Sequence, residues 1–201
     1  GVLSIWQAYR DAGQADPAHA ALPPMDALAA ANAHAGIGNI AIDRAAGTLY
    51  LTDGETQLDV GAVAKGYAAQ KAAEAMARGG VTAMLLSVGG NVCSIGTRPD
   101  GSAWKVGVRD PYSDGTICVT QVSGQSVVTS GTYERYYTVD GKRYHHIIDP
   151  ETLMPAARYD SVTVIADDSG LADALTTGLF CMSVEAGMAL ISPMDGVEAL
   201  W

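Results

Sequence analysis

The stretch ADDSGLADALTTG sets a carboxylate, Asp173, four positions ahead of a hydroxyl, Thr177, within a helix-favouring run. Residues at that spacing share one helix face. Oxygen donors one turn apart suit a hard cation such as Mg²⁺, which also takes waters or substrate phosphates. The same spacing serves an exposed aspartate beside a threonine that bonds its own i−4 carbonyl, and spacing alone favours this plainer reading. LDVGAVAKG holds a second candidate. Gly61 and Gly66 permit close approach or unusual backbone angles, and Lys65 is the only local cation, able to face a phosphate. A carbonyl exposed in that turn is able to complete a metal site, while a helix start with a solvated lysine fits the same letters. SVGGN sets Gly89 and Gly90 before Asn91 at a strand end, where free amides receive ligands and where a plain turn fits equally well. Adjacent His145 and His146 face opposite sides of an extended chain, so one of them enters a shared pocket. There a neutral imidazole takes a proton from a hydroxyl.

Three familiar nucleophile and phosphate motifs do not fit. Ser130 is not in a GxSxG elbow, the glycines do not form GxGxxG, and GAVAKG is not a P-loop.

These residues need a frame, and the hydropathy pattern outlines one. Val2, Leu3, Trp6 and Tyr9 fall nearly on one side, predicting a short helix over 2–10. A second helix follows Pro23 and Pro24 through MDALAAANAHAG, with Gly36 expected as its left-handed C-terminal residue. IAID, TLYL and TQLDV predict a three-strand meander. AKGYAAQKAAEAMARGG has no β-branched residue and ends on a glycine pair, so it reads as helix. TAMLLSVGG, VCSIG, AWKVGVRD, GTICVTQV, QSVVTSG, YERYYTV and RYHHIID predict strands, with a hairpin turn at VDGKR. SVTVIA is the last long strand, before helices over roughly 170–182 and through GMALIS, and GVEALW looks like a strand cut short. Tyr133, Tyr136, Tyr137 and Tyr144 are expected to pack on sheet faces. Helices and strands alternate without a βα repeat, which predicts an α+β fold with mixed, mainly antiparallel sheets and interspersed helices. No linker divides residues 1–201, so one domain is expected.

Composition removes several classes of function. The 201 residues are 48% hydrophobic, enough for a real core. A net charge of −10 disfavours nucleic acid as a partner. Cys93, Cys118 and Cys181 form no CxxC pair or Cys/His cluster, and each is expected to be a buried small hydrophobe. No run of 18 apolar residues marks a membrane span, and no export signal is visible. The chain starts at Gly1 directly in VLSIWQAY, so a preceding segment, a targeting signal included, is expected to have been removed.

LDVGAVAKGYAAQKA, LLSVGGNV, WKVGVRDP, VVTSGTYERYY, YHHIIDPETLMPA and SVTVIADDSGLADALTTGLF occur in this order. On these six blocks the chain resembles the ApbE-type FAD:protein FMN transferase family, from about Trp6 to its C-terminus. The resemblance implies an Mg²⁺-dependent enzyme that moves FMN from FAD onto a Thr or Ser hydroxyl of an acceptor protein and releases AMP. It carries with it two alternatives, an FAD diphosphohydrolase giving FMN and AMP, and a non-catalytic flavin-binding accessory protein. By motif, Asp173 and Thr177 match side-chain metal ligands, Ala62 a carbonyl ligand, and His146 the family histidine and general base. Lys65, Gly89, Gly90, Asn91 and Thr132 fall where the cofactor would bind. The resemblance further implies an N-terminal region and an extreme C-terminus beyond this chain, an extracytoplasmic location through an anchor outside it, and sheet edges open to homodimerisation.

Overall fold

The computed structural model describes residues 1–201. In chain order its elements are α1 (Val2–Ala15), α2 (Met25–Asn32), β1 (Ile40–Asp43), β2 (Thr48–Leu51), α3 (Ala64–Arg78), β3 (Met84–Val88), β4 (Asn91–Ile95), β5 (Trp104–Arg109) and β6 (Thr116–Val122). There follow β7 (Ser126–Gly131), β8 (Tyr136–Val139), β9 (Lys142–His145), β10 (Ser161–Ala166), α4 (Ser169–Phe180), α5 (Val184–Ile191) and β11 (Glu198–Leu200). The fold is α+β with antiparallel sheets and interspersed helices, as the pattern predicted. Two compact units emerge, Gly1–Asp59 with Glu134–Pro155, and Val60–Tyr133 with Ala156–Trp201.

The first unit is built around α1, whose Val2 and Trp6 meet Leu28, Tyr137, Val139 and Leu153. The Trp6 indole N–H donates to the buried Leu153 carbonyl at 2.8 Å, and the Tyr137 hydroxyl donates to the Ala21 carbonyl at 3.0 Å. Helix α1 runs beyond the expected span because Gly13 extends its buried stripe. A Cβ at Gly13 would stand 2.7 Å from the Tyr137 ring. Leu3, expected on that stripe, is exposed instead. Gly36 is not a left-handed cap, since its φ of 170° is extended backbone. TQLDV forms no third strand, and β1–β2 is a two-stranded hairpin. Its Thr56 is held by side-chain bonds, donating to the His34 carbonyl at 2.8 Å and accepting from the Asn39 amide at 2.9 Å. The β8–β9 turn lies where VDGKR predicted it, with Asp140 and Gly141 at φ of 48° and 77°.

The second unit holds a five-stranded antiparallel sheet in the order β11-β10-β7-β4-β3. Register places Asn91, Val128 and Val164 in one row across β4, β7 and β10, and Cys93, Ser126 and Ala166 in the next. Both rows share a face, because side chains opposite one another point the same way. Ala69 and Ala73 of α3 pack on Cys93, and α4 lies over β7 and β10. The reverse face is covered by the β5–β6 hairpin, where Val106 and Val122 meet Val127, Val92 and Ile165. Cys93 is buried as expected, but Cys118 is exposed on this hairpin and Cys181 is intermediate. No helix is long and apolar enough to cross a membrane.

Leu179 of α4 is fully buried. Leu179→Ala is expected to destabilise the second unit by about 2–5 kcal/mol through lost transfer energy and the cavity left behind, as read by urea unfolding.

Candidate functional site

Helices α3 and α4 exchange caps. The Gly66 N–H, in the first turn of α3 and therefore without a partner inside the helix, donates to Asp173 Oδ2 at 2.8 Å. In return the Gln70 side chain of α3 accepts the Ser169 N–H at the start of α4 at 2.9 Å. Asp168 adds an ordinary N-cap, accepting from Leu171 N–H at 2.8 Å. Asp173 is only 3% exposed, so its carboxylate is drawn out of water and depends on protein donors. A helix N-terminus, with its partial positive charge, supplies one.

Gly66 makes this approach possible. A Cβ there would lie 2.2 Å from the Ser169 carbonyl oxygen and 2.6 Å from Asp173 Cβ. The backbone bonding also steps over Ala62. Val63 and Ala64 both donate to the Val60 carbonyl, Tyr67 donates to that of Val63, and Gly66 is turned to Asp173. The Ala62 carbonyl, in the exposed turn ahead of α3, receives none of these N–H groups. Thr176 and Thr177 divide their work. Thr176 is buried and donates to the Asp173 carbonyl at 2.8 Å while accepting from the Ser130 hydroxyl at 2.9 Å, which ties α4 to β7. Thr177 is half-buried and makes neither bond.

The predicted cofactor residues lie in the same unit. Lys65 Nζ donates to the Gly89 carbonyl at 2.9 Å, joining the start of α3 to the β3–β4 turn. Gly89 and Gly90 are exposed with φ of 50° and 94°, and Gly90 accepts from Thr129 N–H. Asn91 is different. It is fully buried on the helix-facing side of β4, and neither amide atom has a protein partner. Thr132 is half-buried; its N–H donates to the Asp160 carbonyl at 3.0 Å.

His146 follows β9 in the first unit. Its Nδ1 stands 3.2 Å from the Arg135 carbonyl. A carbonyl only accepts, so Nδ1 carries the hydrogen and Nε2 keeps its lone pair. Burial pushes the imidazole pKa down to about 4, with the Arg135, His145 and Arg10 charges acting in the same direction against the Arg135 hydrogen bond. The ring is therefore neutral at pH 7. His145, expected on the opposite side, is buried. Asp149 fixes the turn beyond, accepting from Glu151 N–H at 2.8 Å while its own N–H donates to the Met154 carbonyl.

The ApbE family model matches the chain over residues 1–201. The chain belongs to the ApbE family. A FAD:protein FMN transferase of Klebsiella pneumoniae is 38% identical over 165 residues, covering 81% of this chain and 50% of that protein. One of Treponema pallidum is 40% identical over 165 residues, covering 77% and 46%. Among solved structures, the ApbE protein of Thermotoga maritima superposes with a TM-score of 0.82 at 35% identity, over 90% of this chain and 59% of that one. The flavin transferase ApbE of Vibrio cholerae gives 0.75 at 29%, over 90% and 61%. The chain thus spans about half the length of the curated relatives it matches.

For this ApbE-family chain the structure brings Gly66 to Asp173 and Lys65 to Gly89. It assembles no group of three or more His, Cys, Asp or Glu side chains able to share a metal, a pattern unlike the predicted one of one carboxylate, one hydroxyl and one carbonyl. Sequence reasoning missed Gln70, Thr176 and Asp149. Only Asp149 carried a signal, the Asp-Pro pair that marks a turn.

An NMR titration of the His146 ring is expected to show it neutral until the pH nears about 4. Because the folded pKa lies below the ordinary 6.5, the unfolded chain takes the proton first. Any stability His146 contributes is complete above pH 6.5 and declines as the pH falls toward 4. A midpoint near 6.5 would contradict the half-buried, carbonyl-bound ring.

Proposed function

We propose that the chain belongs to an enzyme that moves FMN from FAD onto a Thr or Ser hydroxyl of an acceptor protein and releases AMP. The observation that carries this reading is the buried Asp173 carboxylate seated on α3, beside a helix start whose bonding leaves out the Ala62 carbonyl. The family's relatives, named FAD:protein FMN transferases, give the reaction its name.

Asp173, Thr177 and the Ala62 carbonyl are all oxygen donors, the chemistry that Mg²⁺ takes, and three protein ligands leave positions for a diphosphate or waters. The fit rests on two features of this chain. Asp173 spends one oxygen on Gly66, and Ala62 has a carbonyl outside the helix bonding. When bound, the ion would neutralise diphosphate charge that otherwise repels a hydroxyl nucleophile. Lys65, fixed at the β3–β4 turn, places a second positive charge in the same unit. The exposed amides at Gly89 and Gly90, with Thr132, would steady the flavin side, next to the buried Asn91.

His146 would accept the proton. The acceptor hydroxyl oxygen bonds the FMN phosphorus, the bond from that phosphorus to the AMP oxygen breaks, and the proton passes to Nε2. Arg135 holds the ring in the tautomer this needs. The resemblance also supports work at an extracytoplasmic face, which fractionation of the native protein would test.

The test is mass spectrometry of a Thr-containing cognate peptide incubated with FAD, Mg²⁺ and the full-length protein, with AMP and free FMN measured together. Covalent FMN on the peptide and an equal amount of AMP are expected. His146→Ala is expected to slow the transfer by about 10²–10⁴-fold. Free FMN and AMP without peptide labelling would instead identify an FAD hydrolase.

A further inference from the structure

We propose that Gly66 is the positioning residue of the metal-binding carboxylate, setting Asp173 and freeing the Ala62 carbonyl through a single backbone N–H. The inference rests on the metal reading above and adds the device that builds the site.

Gly66 sits inside a helical run, where glycine costs roughly 1 kcal/mol relative to alanine. Its φ is not left-handed, so no turn demands it. What demands it is contact. A Cβ would meet the Ser169 carbonyl at 2.2 Å and Asp173 Cβ at 2.6 Å, both parts of α4 that cannot swing aside as a long side chain would. Without that Cβ the two helices close until the Gly66 N–H reaches Asp173 Oδ2. This bond does two things at once. It occupies one carboxylate oxygen and so fixes the direction of the other. It also commits the donor that a helix begun one residue earlier would have given to Ala62, and no other backbone N–H takes its place. Two of the three proposed ligands are therefore set by one donor. The third, Thr177, stands on the same helix as Asp173 and moves with it.

Gly170 provides a control on the same helix pair. A Cβ there would stand 3.1 Å from Asp168 Oδ1 and 3.5 Å from the Tyr67 backbone, a milder crowding that leaves the Gly66 N–H untouched.

The experiment compares wild type, Gly66→Ala, Gly170→Ala and a backbone ester in which the Gly66 N–H is replaced by oxygen. Mn²⁺ affinity is read by electron paramagnetic resonance in the presence of ADP, and Tm by calorimetry. The ester removes the donor without adding bulk, so it remains decisive if Gly66→Ala fails to fold. Gly66→Ala and the ester are expected to weaken Mn²⁺ binding at least tenfold, and Gly170→Ala less than about twofold, with Tm recorded for each so that a change in metal affinity is read beside any change in stability. An ester that binds Mn²⁺ as wild type does would overturn the positioning role. So would Gly170→Ala weakening the metal as much as the ester does, because general helix packing would then explain the effect. Wild-type protein that binds no Mn²⁺, alone or with ADP, would instead overturn the metal reading itself.

Discussion

A buried carboxylate at the crossing of two helices is the constraint around which the second unit is arranged. Asp173 is withdrawn from water, and an ionised carboxylate in such a place is stable only where donors are already aimed at it. The donor here is a main-chain N–H, which cannot be moved without moving α3. The bond consequently requires α3 and α4 to meet backbone to backbone, and that requires a residue without a side chain at position 66. Gln70 then returns a cap to α4, so each helix start is completed by a side chain of the other. The pair is tied at both ends of the exchange.

The sheet beneath ties that pair down as well. Ser130 on β7 donates to Thr176, which donates to the carbonyl of Asp173 itself, so the residue is held through its main chain as well as its carboxylate. The buried Thr176 hydroxyl both accepts and donates, so it is satisfied away from water. Neighbouring Thr177 is left out of it. Two adjacent threonines of the same chemistry thus take different tasks because a helix turns about 100° between them, pointing one at the sheet and leaving the other half-exposed.

Much of this was legible in the sequence, and the failures have physical causes. The strands β7 and β10 announced themselves through apolar runs between turn residues, the helix before Gly79 through its lack of β-branched residues and its closing glycine pair, and the VDGKR hairpin through residues that tolerate positive φ. The i, i+4 spacing identified Asp173 and Thr177 as sharing a helix side, but spacing alone favoured an exposed aspartate, because burial is decided by a helix more than 90 residues away in sequence. TQLDV alternates as a strand should, yet Thr56 is claimed by His34 and Asn39, and a segment held by side chains does not join a ladder. Cys118 looked like core because its neighbours are apolar. It stands opposite Val108 on the hairpin face that turns to the sheet, but there it lines a cavity with Thr163 and Ile165 instead of being covered.

The histidine shows the same economy of means in the first unit. A surface imidazole would be half protonated near neutrality and free to choose its tautomer. His146 is denied both freedoms, the first by partial burial and the second by the Arg135 carbonyl. The cost is a weaker base, since a ring with a pKa near 4 holds an abstracted proton less firmly than a free one. The gain is constancy: across the physiological range Nε2 always presents a lone pair in a fixed direction. In the transfer proposed above, such a ring would need only to receive the proton as it leaves a hydroxyl already made acidic by the centre it attacks. The Asp149 turn makes the arrangement durable by pinning the chain three residues beyond the ring, which leaves its main chain little room to swing away.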